Sequence, residues 1–245
     1  MNVLDRLWDR IASAQPAPAV WVVAVTGLAA LLLVLNTPTW RLAGKVITIA
    51  HEGGHALVSV LSGRRLDGIR LHPDSSGVTY SRGKQYGPGL VLTAAAGYPA
   101  PSLLGAGAAA LLAARHQTAL LWLALILLAA TFLAIRNAFG ALAVLITAGG
   151  VFAVSYYAPA AVQAGFAYLA AWFLLLGGMR PALELARRRR RAPGHPRALR
   201  KPSGSGVSDA DQLARLTGVS RGLWVAAFLL ICTAALALGA RLLIP

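Results

Sequence analysis

The run LAGKVITIAHEGGHALVSVLS, residues 42 to 62, sets three ionisable side chains, His51, Glu52 and His55, in the middle of a stretch long and apolar enough to be a membrane helix. A charged group at the centre of a bilayer costs roughly 2.5 to 3.5 kcal/mol even on a lenient insertion scale, so ionisable residues there are rare and usually functional. The pattern is H-E-x-x-H. On a helix the two histidines, at i and i+4, share one face and can both ligate one zinc ion, while Glu52 lies beside them as a general base. The competing structural reading is a pair of core histidines and a glutamate satisfied by neighbouring helices. Gly53 and Gly54 add to the first reading, because each weakens a helix by about 1 kcal/mol relative to alanine and is useful where another backbone comes close.

Outward from this run the rest of the chain has the same character. Of 245 residues 57% are hydrophobic and 13% charged, about half the charged share of an ordinary soluble domain. A soluble globular domain and a disordered chain are both excluded. Apolar runs fall at about 19 to 36, 42 to 62, 89 to 114, 117 to 135, 138 to 157, 160 to 179 and 222 to 244, each near the length of a spanning helix. The expected fold is therefore an all-α polytopic membrane protein of about seven transmembrane helices. The third run contains Tyr98-Pro99-Ala100-Pro101, which suggests a kinked or broken helix. No internal repeat and no cleavable signal is expected. The single cysteine, Cys232, excludes a disulfide framework and zinc held by clustered thiolates.

The chain carries 23 Lys+Arg against 8 Asp+Glu, a net charge of +15. Seven crossings would put only Arg41, Lys45, Arg115 and Arg241 on one side and every other basic residue on the side of the N-terminus. This asymmetry predicts a multi-pass protein of the plasma (inner) membrane with a cytoplasmic N-terminus and an external C-terminus. The run Arg187 to Arg191 is read mainly as a topology determinant, with anionic lipid as a possible partner. No nucleic-acid partner is expected, since no aromatics interleave with the basic run.

Two polar segments are expected in the cytoplasm. In residues 63 to 88, alternating runs at 69 to 72 and 78 to 81 flank Pro73-Asp74-Ser75-Ser76-Gly77 and predict a small cytoplasmic β-hairpin after the H-E-x-x-H helix. Residues 180 to 221 read as a basic, flexible linker followed by a short helix capped at Ser208. The expected organisation is a cytoplasmic segment (1–18), a six-helix membrane domain with the metal site (19–179), the linker and short helix (180–221), and a last transmembrane helix (222–245).

Catalytic zinc usually has three protein ligands and an open position. None of the remaining acids and histidines sits inside an apolar run, so the third ligand must come from a segment that dips inward. Asp209 and Asp211 lead, but Ser208 with Asp211 also forms a capping box, and Asp209 in a first turn suits the helix dipole. His72 beside Pro73 is a weaker candidate.

The H-E-x-x-H membrane helix, the hairpin after it, and Ala96-Gly97-Tyr98-Pro99-Ala100-Pro101-Ser102 opening the next helix together resemble the site-2 protease family of intramembrane zinc metalloproteases, in its short form without a PDZ domain. The resemblance spans about residues 40 to 115, and more loosely Arg136 to Gly140 and Ser208-Asp209-Ala210. It implies an aspartate as third ligand. The family's usual Asn-x-x-Pro to Asp-Gly motif is missing, and Ser208-Asp209-Ala210 looks like the corresponding element, which places Asp209 ahead of Asp211. Asn137 matches the family's substrate-orienting asparagine, or serves as an interhelical hydrogen-bond residue.

The function expected is zinc-dependent endopeptidase hydrolysis of membrane protein or peptide substrates, with one Zn2+ per chain on His51, His55 and Asp209 and with Glu52 as general base. An unwound substrate strand could add to the hairpin along Val78-Thr79-Tyr80. The alternative is a non-proteolytic zinc-binding membrane protein, either a transporter or an inactive scaffold.

Overall fold

The computed structural model describes residues 13–191 and 207–244, without the side chains of residues 188–191. The N-terminal twelve residues and the linker at 192–206, which includes most of the expected flexible segment, lie outside the described residues.

The first two apolar runs form α1 (Val20–Leu35) and α2 (Thr37–Leu61), set at 102° to each other. Asn36 makes the corner. Its backbone is extended, its side chain accepts a hydrogen bond from the Thr39 amide at 3.2 Å, and Pro38 follows where a missing N–H costs nothing. The third run is divided by Gly97-Tyr98-Pro99 into α3 (Pro88–Ala95) and α4 (Ala100–Ala113). Then come α5 (Gln117–Ala134), α6 (Ala138–Tyr157), α7 (Ala160–Arg191), the short α8 (Asp209–Thr217) and α9 (Arg221–Leu243).

The expectation of seven spans is not reached. Among the described residues four helices, α5, α6, α7 and α9, are long and apolar enough to cross a membrane, and the bent α1–α2 pair makes five if counted as one span. The difference comes from the first three runs: α1 and α2 meet at a sharp corner and count as one span at most, and Gly97-Tyr98-Pro99 divides the third run into two short helices. The chain is a multi-pass membrane protein.

Small residues let the helices meet closely. Leu175 of α7 is fully buried, and a Cβ on Gly105 of α4 would lie 2.8 Å from its amide nitrogen, while one on Gly239 of α9 would lie 2.6 Å from its side chain. At the junction that matters most for the site, a Cβ on Gly54 would stand 2.4 Å from the Ala100 Cβ. Gly54 thus lets the start of α4 cross α2 beside the histidines, whereas Gly53 faces Thr131 of α5 with room to spare.

The hairpin forms as strands β1 (Arg65–Leu71) and β2 (Gly77–Arg82), antiparallel, with Ile69 opposite Thr79 and a bulge between Leu66 and Gly68. Its placement differs from that of a hairpin free in the cytoplasm, because it folds back along α2. At its base the buried Arg64 donates to Ser81 Oγ (3.2 Å) and the Lys84 carbonyl (2.6 Å). At its tip the Thr48 hydroxyl donates to the Ser75 carbonyl (3.1 Å), and the Lys45 ammonium reaches the Pro73 carbonyl and Ser75 Oγ. Ile69 and Leu71 bury their side chains with Ile49, Ala56, Ile135 and Val144. A hairpin held at its base and at its tip along α2 is a fixed wall of whatever lies between.

Overpacking a close backbone crossing costs about 1 to 3 kcal/mol. Gly54→Val is therefore expected to lower the thermal midpoint in detergent by several degrees, whereas Gly107→Ala, where a Cβ meets nothing within 4 Å, leaves it unchanged or slightly higher.

Candidate metal centre

His51 and His55 project from one face of α2, as their spacing requires. Their Nε2 atoms lie 3.2 Å apart. The Nδ1 of His55 is 2.7 Å from the Thr93 carbonyl oxygen, so it carries the proton and donates, which leaves the Nε2 lone pair facing His51. Tyr98 sets its ring edge-on to His51 at 5.0 Å and stacks on Phe228 of α9 at 5.1 Å, walling one side.

The third group comes from α8. This helix opens with the capping box: Ser208 Oγ accepts from the Asp211 amide, and Asp211 Oδ2 accepts from Ser208 N (3.1 Å) and Oγ (2.6 Å). The other oxygen of Asp211 pairs with Arg221 Nε at 3.2 Å. Ala210 and Leu213 are fully buried with Ala94, Leu185, Val225 and Phe228, which docks α8 between α3, α7 and α9. Asp209 then faces α2, with Oδ2 3.3 Å from His51 Nε2 and 3.2 Å from His55 Nε2. Burial alone would raise the carboxyl pKa of Asp209, but in the metal-free site a proton on the facing imidazole nitrogens outweighs it and holds the pKa below the usual carboxylate range.

The three donor atoms suit zinc. For bonds of about 2.0 Å in a tetrahedron, neighbouring ligand atoms are about 3.3 Å apart, and the three edges here are 3.2, 3.2 and 3.3 Å. Asp209 Oδ2 is buried and makes no hydrogen bond, its only close neighbours among the ion pairs being those two nitrogens. The space is kept by Gly97: a Cβ there would fall 2.3 Å from His55 Nε2 and 2.6 Å from His51 Nε2.

Glu52 is buried against the hairpin, where Thr79 Oγ1 lies 2.6 Å from its Oε2. A Cβ on Gly77 would come within 2.6 Å of its Oε1. Val78 and Tyr80 alternate to the opposite face, where Tyr80 is exposed under the Arg70 guanidinium. Asn137 lies on the far side of the hairpin, its amide donating to the Leu71 carbonyl (2.7 Å) and accepting from the Leu71 amide (3.2 Å). The Arg136 amide adds a bond to the Ile69 carbonyl at 2.9 Å. With His72 bonded to Ser76 across the turn, the alternation of an antiparallel ladder directs the backbone groups of Gly77 and Thr79 outward. The outer edge of β1 is thus filled by residues 136 and 137, and the outer edge of β2 makes no backbone hydrogen bond among the described residues.

Sequence reasoning missed two groups at the centre. Thr93 acts through its carbonyl oxygen, which has no side-chain signature. Gly97 was visible only as part of the Ala96-to-Ser102 stretch that carries the family resemblance.

A family model described as Peptidase M50B-like matches residues 24–239. No curated protein and no solved structure matches the chain.

The centre makes a direct prediction for metal content of the purified chain in detergent. About one zinc per chain is expected, lost in His55→Ala and Asp209→Ala, and lost in Gly97→Val, which removes no ligand but fills the space between them. Because the ligand atoms must be free of protons to bind the metal, zinc affinity should fall as the pH is lowered.

Proposed function

The chain belongs to the Peptidase M50B-like family, in keeping with its resemblance to site-2 proteases, and on that premise we propose that it is an intramembrane zinc metalloendopeptidase acting on membrane-embedded protein or peptide substrates. Membership implies a metallopeptidase. The observation that carries the finer reading is the tetrahedral spacing of His51 Nε2, His55 Nε2 and Asp209 Oδ2 beside a buried glutamate.

Zinc, when bound, supplies Lewis acidity, making a water a nucleophile near neutral pH and polarising the scissile carbonyl. The rest falls to the chain. His51, His55 and Asp209 fix the metal's position, and the Thr93 carbonyl keeps His55 in the ligating tautomer. Glu52 accepts the proton of the attacking water and returns it to the leaving amine nitrogen. Burial of Glu52 limits loss of that proton to bulk water.

A helical substrate must unwind before its peptide bond can be attacked. The outer edge of β2, at Gly77 and Thr79, offers outward N–H and C=O groups beside Glu52 and suits strand addition along Val78-Thr79-Tyr80. Asn137 contributes from the other edge by holding β1 in register. The eleven basic residues from Arg180 to Arg221 favour the cytoplasm for the segment before α9, which puts the C-terminus outside and, with five spans, the N-terminus in the cytoplasm. Arg187, exposed on the last turns of α7, would begin an anionic-lipid contact whose further members, Arg188 to Arg191, have side chains outside the described residues.

Glu52→Gln separates proteolysis from zinc binding without hydrolysis. Cleavage of fluorescein-labelled casein in micelles should fall by about 10²- to 10⁴-fold while zinc content stays at the parent's level. A parent that holds zinc and cleaves neither casein nor a transmembrane reporter would favour the non-proteolytic reading.

A further inference from the structure

We propose that Thr79 is a positioning residue for Glu52: its hydroxyl holds the carboxylate in the orientation needed to receive the water's proton, and its backbone at the same time forms part of the edge that takes the substrate. This rests on the reading of Glu52 as general base, and extends it by tying that base to the hairpin.

The register of the sheet sets the geometry. Thr79 pairs with Ile69 and Gly77 with Leu71, so all four lie on the face of the hairpin turned toward the protein. At Gly77 the absence of a side chain leaves a slot that the Glu52 side chain fills, since a Cβ would come 2.6 Å from its Cγ and Oε1. Two residues along, Thr79 Oγ1 is 2.6 Å from Glu52 Oε2 and 3.1 Å from the Glu52 carbonyl. A hydroxyl has one proton to donate, and a carboxylate at the shorter distance is the stronger acceptor. Slot and hydroxyl together reduce a flexible three-torsion side chain to one arrangement, in which Oε2 is bonded and Oε1 is left for the reacting proton.

The hydroxyl is not needed merely to fasten the hairpin. Arg64 ties its base, Thr48 and Lys45 its tip, and Asn137 its outer edge. Thr48 therefore supplies a control: its hydroxyl bonds the same hairpin to the same helix without touching Glu52. Because Gly77 and Thr79 also present outward backbone groups, a strand docked on β2 would brace the residues that brace the base. Docking and base orientation are then coupled through one strand.

The experiment uses the full chain in detergent, comparing the parent with Thr79→Val, Thr79→Ser and Thr48→Val. It reads zinc content, kcat and KM on fluorescein-labelled casein, and the thermal midpoint of the metal-free protein with and without Glu52→Leu. Expected for Thr79→Val is a fall in kcat of about tenfold or more, with KM and zinc within about twofold. Thr79→Ser should return to within about threefold of the parent, and Thr48→Val should keep kcat within about twofold. In the metal-free protein Thr79→Val should lower the midpoint by several degrees when Glu52 is present and by much less beside Glu52→Leu, the mark of direct coupling. A parental kcat in Thr79→Val, a serine variant as impaired as the valine one, or additive midpoint losses would each overturn the proposal. If the zinc-loaded parent cleaves nothing while the thermal coupling persists, the protease reading fails and the hold of Thr79 on Glu52 stands.

Discussion

Two imidazole nitrogens and a carboxylate oxygen converge to within 3.3 Å of one another in a largely buried place. Packing two imidazoles against a carboxylate costs desolvation that a shared metal ion would offset, and much of the surrounding architecture serves that convergence. Helix α2 supplies two donors at a spacing that needs no help from the rest of the fold. The third is delivered from far along the sequence by α8, whose direction is set by its capping box, by the Asp211–Arg221 pair, and by Ala210 and Leu213 in an apolar cluster. The break between α3 and α4 completes the site by bringing a glycine where a side chain would occupy the metal's place.

On the other flank of α2 the hairpin has two unlike edges. One is closed by the Arg136 amide and by the Asn137 side chain, which imitates a neighbouring strand. The other is open beside Glu52. A two-stranded ribbon is marginal by itself, and this one persists because α2 and the start of α6 hold it from several directions. Its rigidity matters chemically, since a wall that both receives an extended chain and orients a base must not move independently of the helix carrying the metal ligands.

The positions of the apolar helices were legible in the sequence because hydropathy is local. The number of crossings was not, since the runs at 19 to 36 and 42 to 62 each have the length of a span, and no local pattern announces that α1 and α2 meet at a 102° corner. His51, Glu52 and His55 could be placed together from their spacing on one helix. Asp209 and Asp211 looked like rivals for one role, and the structure gives them separate surroundings: Asp211 takes the cap, and Asp209 faces the histidines. The hairpin's alternation could be read, whereas its return along α2 depends on Lys45, Thr48 and Arg64, contacts that no local pattern announces. Thr93 was out of reach altogether, because its contribution is a backbone carbonyl.

The central claim is that one zinc is held by two histidines of α2 and an aspartate of α8. X-ray absorption at the zinc edge of the purified, zinc-loaded chain tests it most directly. The account predicts a four-coordinate ion with nitrogen and oxygen neighbours at about 2.0 Å and the outer-shell scattering of two imidazole rings. An ion surrounded by six oxygens, or one whose spectrum keeps its imidazole signal after His51 and His55 are both replaced, would contradict it.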